Sequence, residues 1–398
     1  MPEFPFSQTK ASEDATSRTV VGCMSGTSLD GIDVAITRIS GTGRSLEVEV
    51  LHAESRPWPD SMRSQLLRVA DPSGEGSHVS AGLMSALDAS LAQVYADVIR
   101  SVVHESGRAM GDIDAVGNHG QTVFHDPQAG HTLQLGNPSR LANLLGVTVV
   151  GDFRQADMAL GGEGAPLVPY MDWALFTDDI EHRLLLNLGG IANITSLPPD
   201  AGREDVRAFD TGPANMILDQ MASRLLGVPF DKGGAVSASG TPDEAVLETL
   251  LKEDYFLRQP PKSTGRELYG QAYVDRLMGM TGHLDAADRM ATAAALTSRS
   301  VVQAVHEFIS GSPDVLWVSG GGVHNKAVMD GLAAGSRGVE VASLETTGFD
   351  PDAKEAVCFA LLAHEALNGV ATGMPSVTGA RGRAFSGKIC PAGTTPGT

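Results

Sequence analysis

The sequence predicts an α/β protein of two domains, each built on a mixed β-sheet, and three observations carry that prediction. At 398 residues the chain is longer than one hydrophobic core usually spans. Hydrophobic residues make up 42% and aromatic residues only 5%, while 46 Gly and 21 Pro are scattered throughout, which suits short turns between small packed elements and not a helical bundle. An order of strands and helices that opens near residue 20 also starts again near residue 183, each time with a glycine-containing hairpin. This duplication is one of pattern, without a residue-level repeat.

The elements follow in order. Residues 1–18, MPEFPFSQTKASEDATSR, lack the apolar core of a secretory signal and read as a mobile tail. Val20–Gly22 and Ile32–Ile39 read as strands joined through MSGTSLDG, and Leu46–Ala53 alternates as a third. Residues 79–105 place apolar side chains at three- and four-residue intervals, the signature of an amphipathic helix. Ile113–Val116 is a short strand running into GNHGQTVFH. A helix follows over Pro138–Leu145, with Asn137 as its cap and Pro138 in its first turn, and then a buried strand, Val147–Val150.

The second half opens with the apolar run Leu184–Asn187, and GGIANIT supplies a turn and a second strand, with Val206–Phe209 as the third. Helices are expected over Ala214–Leu226, Asp243–Lys252 and Asp285–Ser310, strands over Val315–Val318 and Val339–Ala342, and a last helix over Lys354–Leu367. The expected domains are therefore 19–180 and 181–371, with 372–398 returning to the first.

Charge and cysteine content exclude several classes. With 29 Lys+Arg against 48 Asp+Glu, the net charge of −19 argues against nucleic acid or an acidic membrane as partner. An anionic ligand would have to be held by local backbone N–H groups and a few Arg. Cys23, Cys358 and Cys390 lie far apart, so neither a disulfide framework nor a zinc site follows, as expected in a reducing cytoplasm. No apolar run is long enough for a membrane span.

Several motifs carry chemistry. In MSGTSLDG, glycines allow close backbone approach to an anion, Ser and Thr hydroxyls add donors, and Asp30 would face a divalent cation or its waters; the alternative is an ordinary tight turn. LNLGGIANIT holds the equivalent place in the second half. SGGGVHN, between a strand and an apolar segment, suits a nucleotide near a helix N-terminus or simply tight helix–strand packing. Asp210 in FDTGPANMILD follows a strand-like run and precedes a turn, which makes it either a general base or the cap of the next helix. Asp152 and Asp157 in GDFRQADMALGGEGAP are the next acid–base candidates, with a structural Asp152–Arg154 ion pair as the alternative and more usual fate. Lys262 and Arg266 in PKSTGRE are either substrate or phosphate contacts or a surface clasp.

Two patterns are set aside. GRAFSGK at 382–388 has P-loop spacing, but Ile389 stands where a magnesium-binding Ser or Thr belongs, and Pro391 leaves no helix to follow. His119, His125 and His131 share no face of a helix or strand, so zinc is not expected; His119 and Gln121 read instead as polar contacts to a ligand rich in hydroxyls.

The segments MSGTSLDGID, GNHGQT, LQLGNPSRLA, VVGDFR, ALGGEGAPLVP, LNLGGIAN, FDTGPANMILD, PKSTGRE, SGGGVHN and PSVTGA run in order from about residue 20 to 390, and together they resemble the anhydro-N-acetylmuramic acid kinase family. The resemblance implies a two-domain actin-like ATPase (ribonuclease H-like) fold with duplicated sheets around a nucleotide cleft, and a cytoplasmic homodimer using ATP and Mg²⁺. It also implies the reaction: water opens the 1,6-anhydro ring of the sugar and the freed O6 takes the γ-phosphoryl group. Asp210 is then the general base. Ser25, Gly26, Thr27, Ser28, Leu29, Asp30, Gly31, Ile32 and Asp33 would lie along the ATP phosphates, with Gly189, Gly190 and Asn193 as the second phosphate turn. Gly320, Gly321, Gly322 and Asn325 would form the nucleoside side, and His119, Gln121, Thr122, Asp157, Gly212 and Asn215 the sugar side, with no direct metal ligand beyond Asp30 acting through water. Relatives carry a basic run where this chain has Arg154-Gln155-Ala156, which bears on recognition of the lactyl carboxylate. A levoglucosan-type kinase acting on a neutral anhydro sugar, or a noncatalytic ATP-binding switch, are the other readings.

Overall fold

The computed structural model describes residues 17–27, 29, 31–70 and 79–393. Of the residues expected to form a tail, 1–16 lie outside this range, and Arg18 already belongs to a strand. Among the described residues the strands are β1 (Arg18–Ser25), β2 (Ile32–Ser40), β3 (Glu47–Arg56), β4 (Ala115–Asp126), β5 (His131–Leu135), β6 (Thr148–Gly151), β7 (Arg183–Leu188), β8 (Ile191–Leu197), β9 (Arg207–Pro213), β10 (Val315–Ser319), β11 (Glu340–Ser343) and β12 (Lys388–Cys390). The chain divides into two units, the first holding the residues up to Leu175 and from Ala353 onward, the second Phe176–Asp352.

In the first unit the sheet runs β12-β6-β4-β1-β2-β3, with β5 paired to β4. β1 is antiparallel to β2 and parallel to β4, and β4 is parallel to β6. Alternation sends Val21, Cys23 and Val116 into a core shared with Leu91, Tyr95 and Ile99 of the helix Ala81–Glu105. Gly22 and Gly117 face the opposite way. A Cβ on Gly22 would lie 1.8 Å from the carbonyl oxygen of Ala356, and one on Gly117 2.0 Å from that of Phe359. The helix Lys354–Leu367 therefore lies directly on these two strands, its backbone touching theirs.

That packing moves the return to the first unit to Ala353, earlier than the residue 372 read from the sequence. A buried Lys354–Asp172 ion pair of 2.8 Å fixes the start of the same helix.

The second unit repeats the arrangement. Its sheet runs β11-β10-β7-β8-β9, with β7, β10 and β11 parallel and β7, β8 and β9 antiparallel in succession. Set beside β6-β4-β1-β2-β3, and with the off-path β5 left out, this is the same order, fifth-fourth-first-second-third in each unit, so the duplication read from pattern is present in the backbone. Leu186, Ile194 and Phe209 form its core with Leu218, Leu277 and Leu296 from the helices Asn215–Leu226, Gln271–Met280 and Ala286–Phe308.

Three differences from the sequence reading matter for the site. β4 does not stop at Val116 but continues to Asp126, so GNHGQT is strand. β5, which pairs with it, and the helix Val168–Phe176 were not anticipated. GRAFSGK, set aside above as a P-loop, runs into a strand that was not anticipated, β12, which pairs antiparallel with β6. No helix among the described residues is long and apolar enough to cross a membrane.

Candidate active site

In the first unit the candidate residues gather where β1 turns into β2. Leu29 adopts a positive φ of 55°, is buried, and its N–H closes the turn on the Gly26 carbonyl at 3.2 Å. Two side chains grip the turn through its carbonyls: Arg63 Nε donates to Leu29 at 2.8 Å and Gln121 Nε2 to Gly26 at 3.2 Å. Ser25 is buried and shares a 2.7 Å hydrogen bond with the Tyr95 hydroxyl, and Ile32 is fully buried, so the hydroxyl of one and the side chain of the other serve the interior. A Cβ on Gly31 would lie 2.6 Å from Ser55 Oγ, so a side chain there would have to displace that hydroxyl. Thr27 is exposed, and Asp33 opens β2 opposite Met24. Ser28 and Asp30 lie outside the described residues.

Next to this turn, β4 carries His119, Gln121 and Thr122. Arg154 Nε donates to His119 Nε2 at 3.0 Å, which places the imidazole proton on Nδ1, hydrogen-bonded to the Gly120 carbonyl at 2.7 Å. Burial, with Arg154 beside it, holds His119 well below the usual histidine range, so the ring is neutral. Both ring nitrogens are used within the protein. Gln121 is buried with its Oε1 unpartnered, and Thr122 accepts from Gln134 Nε2 at 3.2 Å. Asp157 is likewise enclosed: Oδ1 accepts from Thr378 Oγ1 at 2.8 Å and Oδ2 from the Gly164 N–H at 2.9 Å, so it ties ALGGEGAP to PSVTGA. The Asp152–Arg154 pair read from sequence does not form. Asp152 pairs with Lys388, and Arg154 spends its other contact on the Gly164 carbonyl.

In the second unit the glycine turn between β7 and β8 receives a helix. The Gly189 carbonyl accepts from the Asn215 N–H at 3.0 Å, and Gly190 accepts from Ala214 and Met216 at 3.0 and 3.1 Å. These carbonyls satisfy the first N–H groups of the helix Asn215–Leu226 in place of a side-chain cap. Asn215 Nδ2 reaches the Leu188 carbonyl at 2.9 Å. The end of β10 comes to the same place: a Cβ on Gly320 would lie 2.6 Å from Asn187 Oδ1, and one on Gly322 2.5 Å from Leu188 Cβ. Gly189, Gly190, Asn215 and Gly320–Gly322 thus form one cluster at the ends of β7 and β10. Asn325 caps the helix Lys326–Gly335 through the N–H groups of Ala327 and Val328. Beside that helix lies a cavity of about 450 Å³ whose lining includes Ser237, Ala291, Ser298, Arg299, Ala327 and Gly331.

Asp210 sits within β9, opposite Asn193 of β8 next to a register break. Its N–H donates to the Lys262 carbonyl at 3.1 Å, its carbonyl accepts from the Tyr255 hydroxyl at 2.9 Å, and its Oδ2 accepts from the Thr264 N–H at 2.9 Å. It does not cap the helix that follows, whose cap position is Ala214. Gly212, two residues on, is pressed against Phe256 and Ser300, with a would-be Cβ 2.7 Å from the Phe256 ring. Lys262 belongs neither to a surface clasp nor to an open phosphate contact: it is 5% exposed and donates to the carbonyls of Tyr255 and Phe256. Arg154, Gln134, Tyr255 and Thr264 were not singled out as site residues. PKSTGRE marks Thr264, while an isolated Tyr or Gln gives no signal in sequence. Among the described residues no three His, Cys, Asp or Glu side chains gather as a metal site.

A family model described as anhydro-N-acetylmuramic acid kinase matches residues 18–392. The anhydro-N-acetylmuramic acid kinase of Salinibacter ruber is 49% identical over 384 residues, covering 94% of this chain and 96% of its own. That of Gloeobacter violaceus is 44% identical over 378 residues, covering 94% and 98%. Among solved structures, an activator of 2-hydroxyisocaproyl-CoA dehydratase from Clostridium difficile with bound ADPNP aligns over 88% of this chain and 96% of its own, at 12% identity and a TM-score of 0.43.

Proposed function

The chain belongs to the anhydro-N-acetylmuramic acid kinase family, and from that premise we propose that it converts 1,6-anhydro-N-acetylmuramic acid and ATP to N-acetylmuramic acid 6-phosphate and ADP, in peptidoglycan recycling. Water attacks the anomeric carbon, the bond from that carbon to the bridging oxygen breaks, and the freed O6 attacks the γ-phosphorus as ADP leaves. The Asp210 carboxylate takes the proton of the attacking water, as the base of an inverting glycosidase does. The observation that carries this role is its mounting: main chain held on both sides by Lys262 and Tyr255, and one oxygen fixed by Thr264. A carboxylate oriented in this way can supply roughly 10²–10⁴-fold as a base.

The hairpin tip from Ser25 to Asp33 and the turn at Gly189–Gly190 bind the ATP phosphates. Their carbonyls at Gly26, Leu29, Gly189 and Gly190 are engaged within the protein, which supports backbone N–H groups as the binding elements. Asn193, opposite Asp210, belongs to the same phosphate-side group. Gly320–Gly322 and Asn325 shape the nucleoside side, and the adjacent cavity has a volume suited to a small-molecule group. A Mg²⁺ ion bound with the nucleotide phosphates would supply charge neutralisation on the transferring group. Asp33 at the head of β2 is the described carboxylate beside the tip and would face such an ion or its waters.

On the sugar side, Gln121, with its unpartnered Oε1, Thr122, Gly212 and Asn215 contact the substrate. His119 and Asp157 act behind them, since their polar atoms are occupied by Arg154, Gly120, Thr378 and Gly164. A cytoplasmic homodimer is the form proposed for the working enzyme. Mass spectrometry of reactions in ¹⁸O-water, with anhydro-N-acetylmuramic acid and levoglucosan in parallel, tests the function. Phosphorylated N-acetylmuramic acid carrying one ¹⁸O at the anomeric position supports it; turnover of levoglucosan alone moves the chain to neutral sugars, and no product from either leaves only nucleotide binding.

A further inference from the structure

Lys262 is a cation placed where a cation is costly. It is 5% exposed, and among the described residues no carboxylate lies within ion-pair distance of it. Its ammonium instead sits 4.6 Å from the ring centre of Phe308, 4.9 Å from Tyr255 and 5.8 Å from Phe209, and donates to the carbonyls of Tyr255 at 3.1 Å and Phe256 at 3.3 Å. Two of these groups, and the lysine's own carbonyl, lead back to Asp210. Phe209 is its chain neighbour, the Tyr255 hydroxyl donates to its carbonyl, and the Lys262 carbonyl accepts its N–H.

We propose that Lys262 is a positioning residue for the base: its ammonium gathers the Tyr255–Phe256 turn, so that the Tyr255 phenol and the 262–264 backbone hold Asp210 in place, and its charge favours the ionised carboxylate. The inference rests on the reading of Asp210 as general base. Burial first and Arg258 second bring the ammonium down to about 8, against the opposing effect of Asp210. The charged and titratable groups acting on it are therefore Arg258 at the end of the helix Asp254–Leu257, Asp210 on β9 and the Tyr255 phenol, while Ala286–Phe308 contributes the apolar ring of Phe308. Below that pH the turn is gathered. Above it the neutral amine loosens its grip, and turnover falls.

The test measures kcat and KM between about pH 6 and about pH 10 for the wild type, Lys262→Met, Lys262→Arg and Asp210→Asn. Expected for the wild type is a fall in kcat above about pH 8; for Lys262→Met, a loss of about tenfold at neutral pH with that fall absent and KM for ATP unchanged. Lys262→Arg keeps its charge and shifts the fall to higher pH, which keeps the test open should the Met variant not fold. Wild-type kcat in folded Lys262→Met, or an unmoved alkaline fall in Lys262→Arg, overturns the proposal while leaving an inactive Asp210→Asn to support the base. Full turnover by Asp210→Asn overturns the base reading itself.

Discussion

Arg154 Nε donates to His119 Nε2 at 3.0 Å, and this one bond determines the state of the imidazole. With Nε2 accepting and Nδ1 donating to Gly120, the ring has no place for a second proton. Its folded pKa lies below its unfolded one, so in acid the unfolded chain binds more protons at this site. The stability involved is complete above the unfolded value of about 6.5 and is lost as pH falls toward the folded one. Thermal melts from about pH 7 to about pH 5 should therefore show a steeper fall in Tm for the wild type than for His119→Gln. Equal slopes would assign the acid sensitivity elsewhere.

Asp210 and Tyr255 offer a graded pair. Asp210→Asn keeps the size and the Thr264 contact but removes the base, and should lose roughly 10²–10⁴-fold in turnover with ATP binding intact by calorimetry. Tyr255→Phe removes the 2.9 Å bond to the Asp210 carbonyl, and should cost about 1 kcal/mol, seen as a several-fold drop in kcat with little change in KM for ATP. Equal losses in both variants would mean that Tyr255 does more than orient.

Gly22 tests where the helix Lys354–Leu367 belongs. A methyl group there would stand 1.8 Å from the Ala356 carbonyl oxygen, a backbone atom that cannot turn aside. Gly22→Ala should destabilise the protein by about 3 kcal/mol, at the upper end for overpacking, in chemical denaturation. Gly107→Ala, where no atom lies within 4 Å but φ is 77°, is the control for backbone strain alone and should cost about 1 kcal/mol. A mild Gly22→Ala would place the helix away from β1.

The strand–helix grammar of both units was legible because alternation and three-four spacing report directly which side of an element is buried. The glycine turns were legible for the same local reason. The helix Lys354–Leu367 was visible as a helix, but it is buried almost all round, so nothing in its own residues says which sheet it covers; Gly22 and Gly117, far away in the chain, decide that. The strand at Ile113–Val116 reads as ending before GNHGQT because that stretch is polar, yet β5 pairs with its far end and its side chains hydrogen-bond inward. Lys262 was flagged but misread, since a lysine's usual place is solvent and the aromatic rings that receive it come from β9 and two separate helices.

Asp157 separates the two ways a polar residue can matter to a site. Read from sequence it is a sugar contact; in the structure it is 1% exposed, with one oxygen on Thr378 and the other on Gly164. Thr378→Val keeps the shape of the side chain but leaves Oδ1 without its donor, and an unsatisfied buried acceptor costs roughly 1–3 kcal/mol. If Asp157 acts from behind the site, the loss appears in Tm, while KM for the anhydro sugar changes little at a temperature where the variant is folded. A direct sugar contact predicts the reverse: freed from Thr378, the carboxylate would still reach the substrate, and Asp157→Asn would raise KM for the sugar by about tenfold or more without a matching change in Tm. Steady-state kinetics and melts on the two variants together decide between wall and contact.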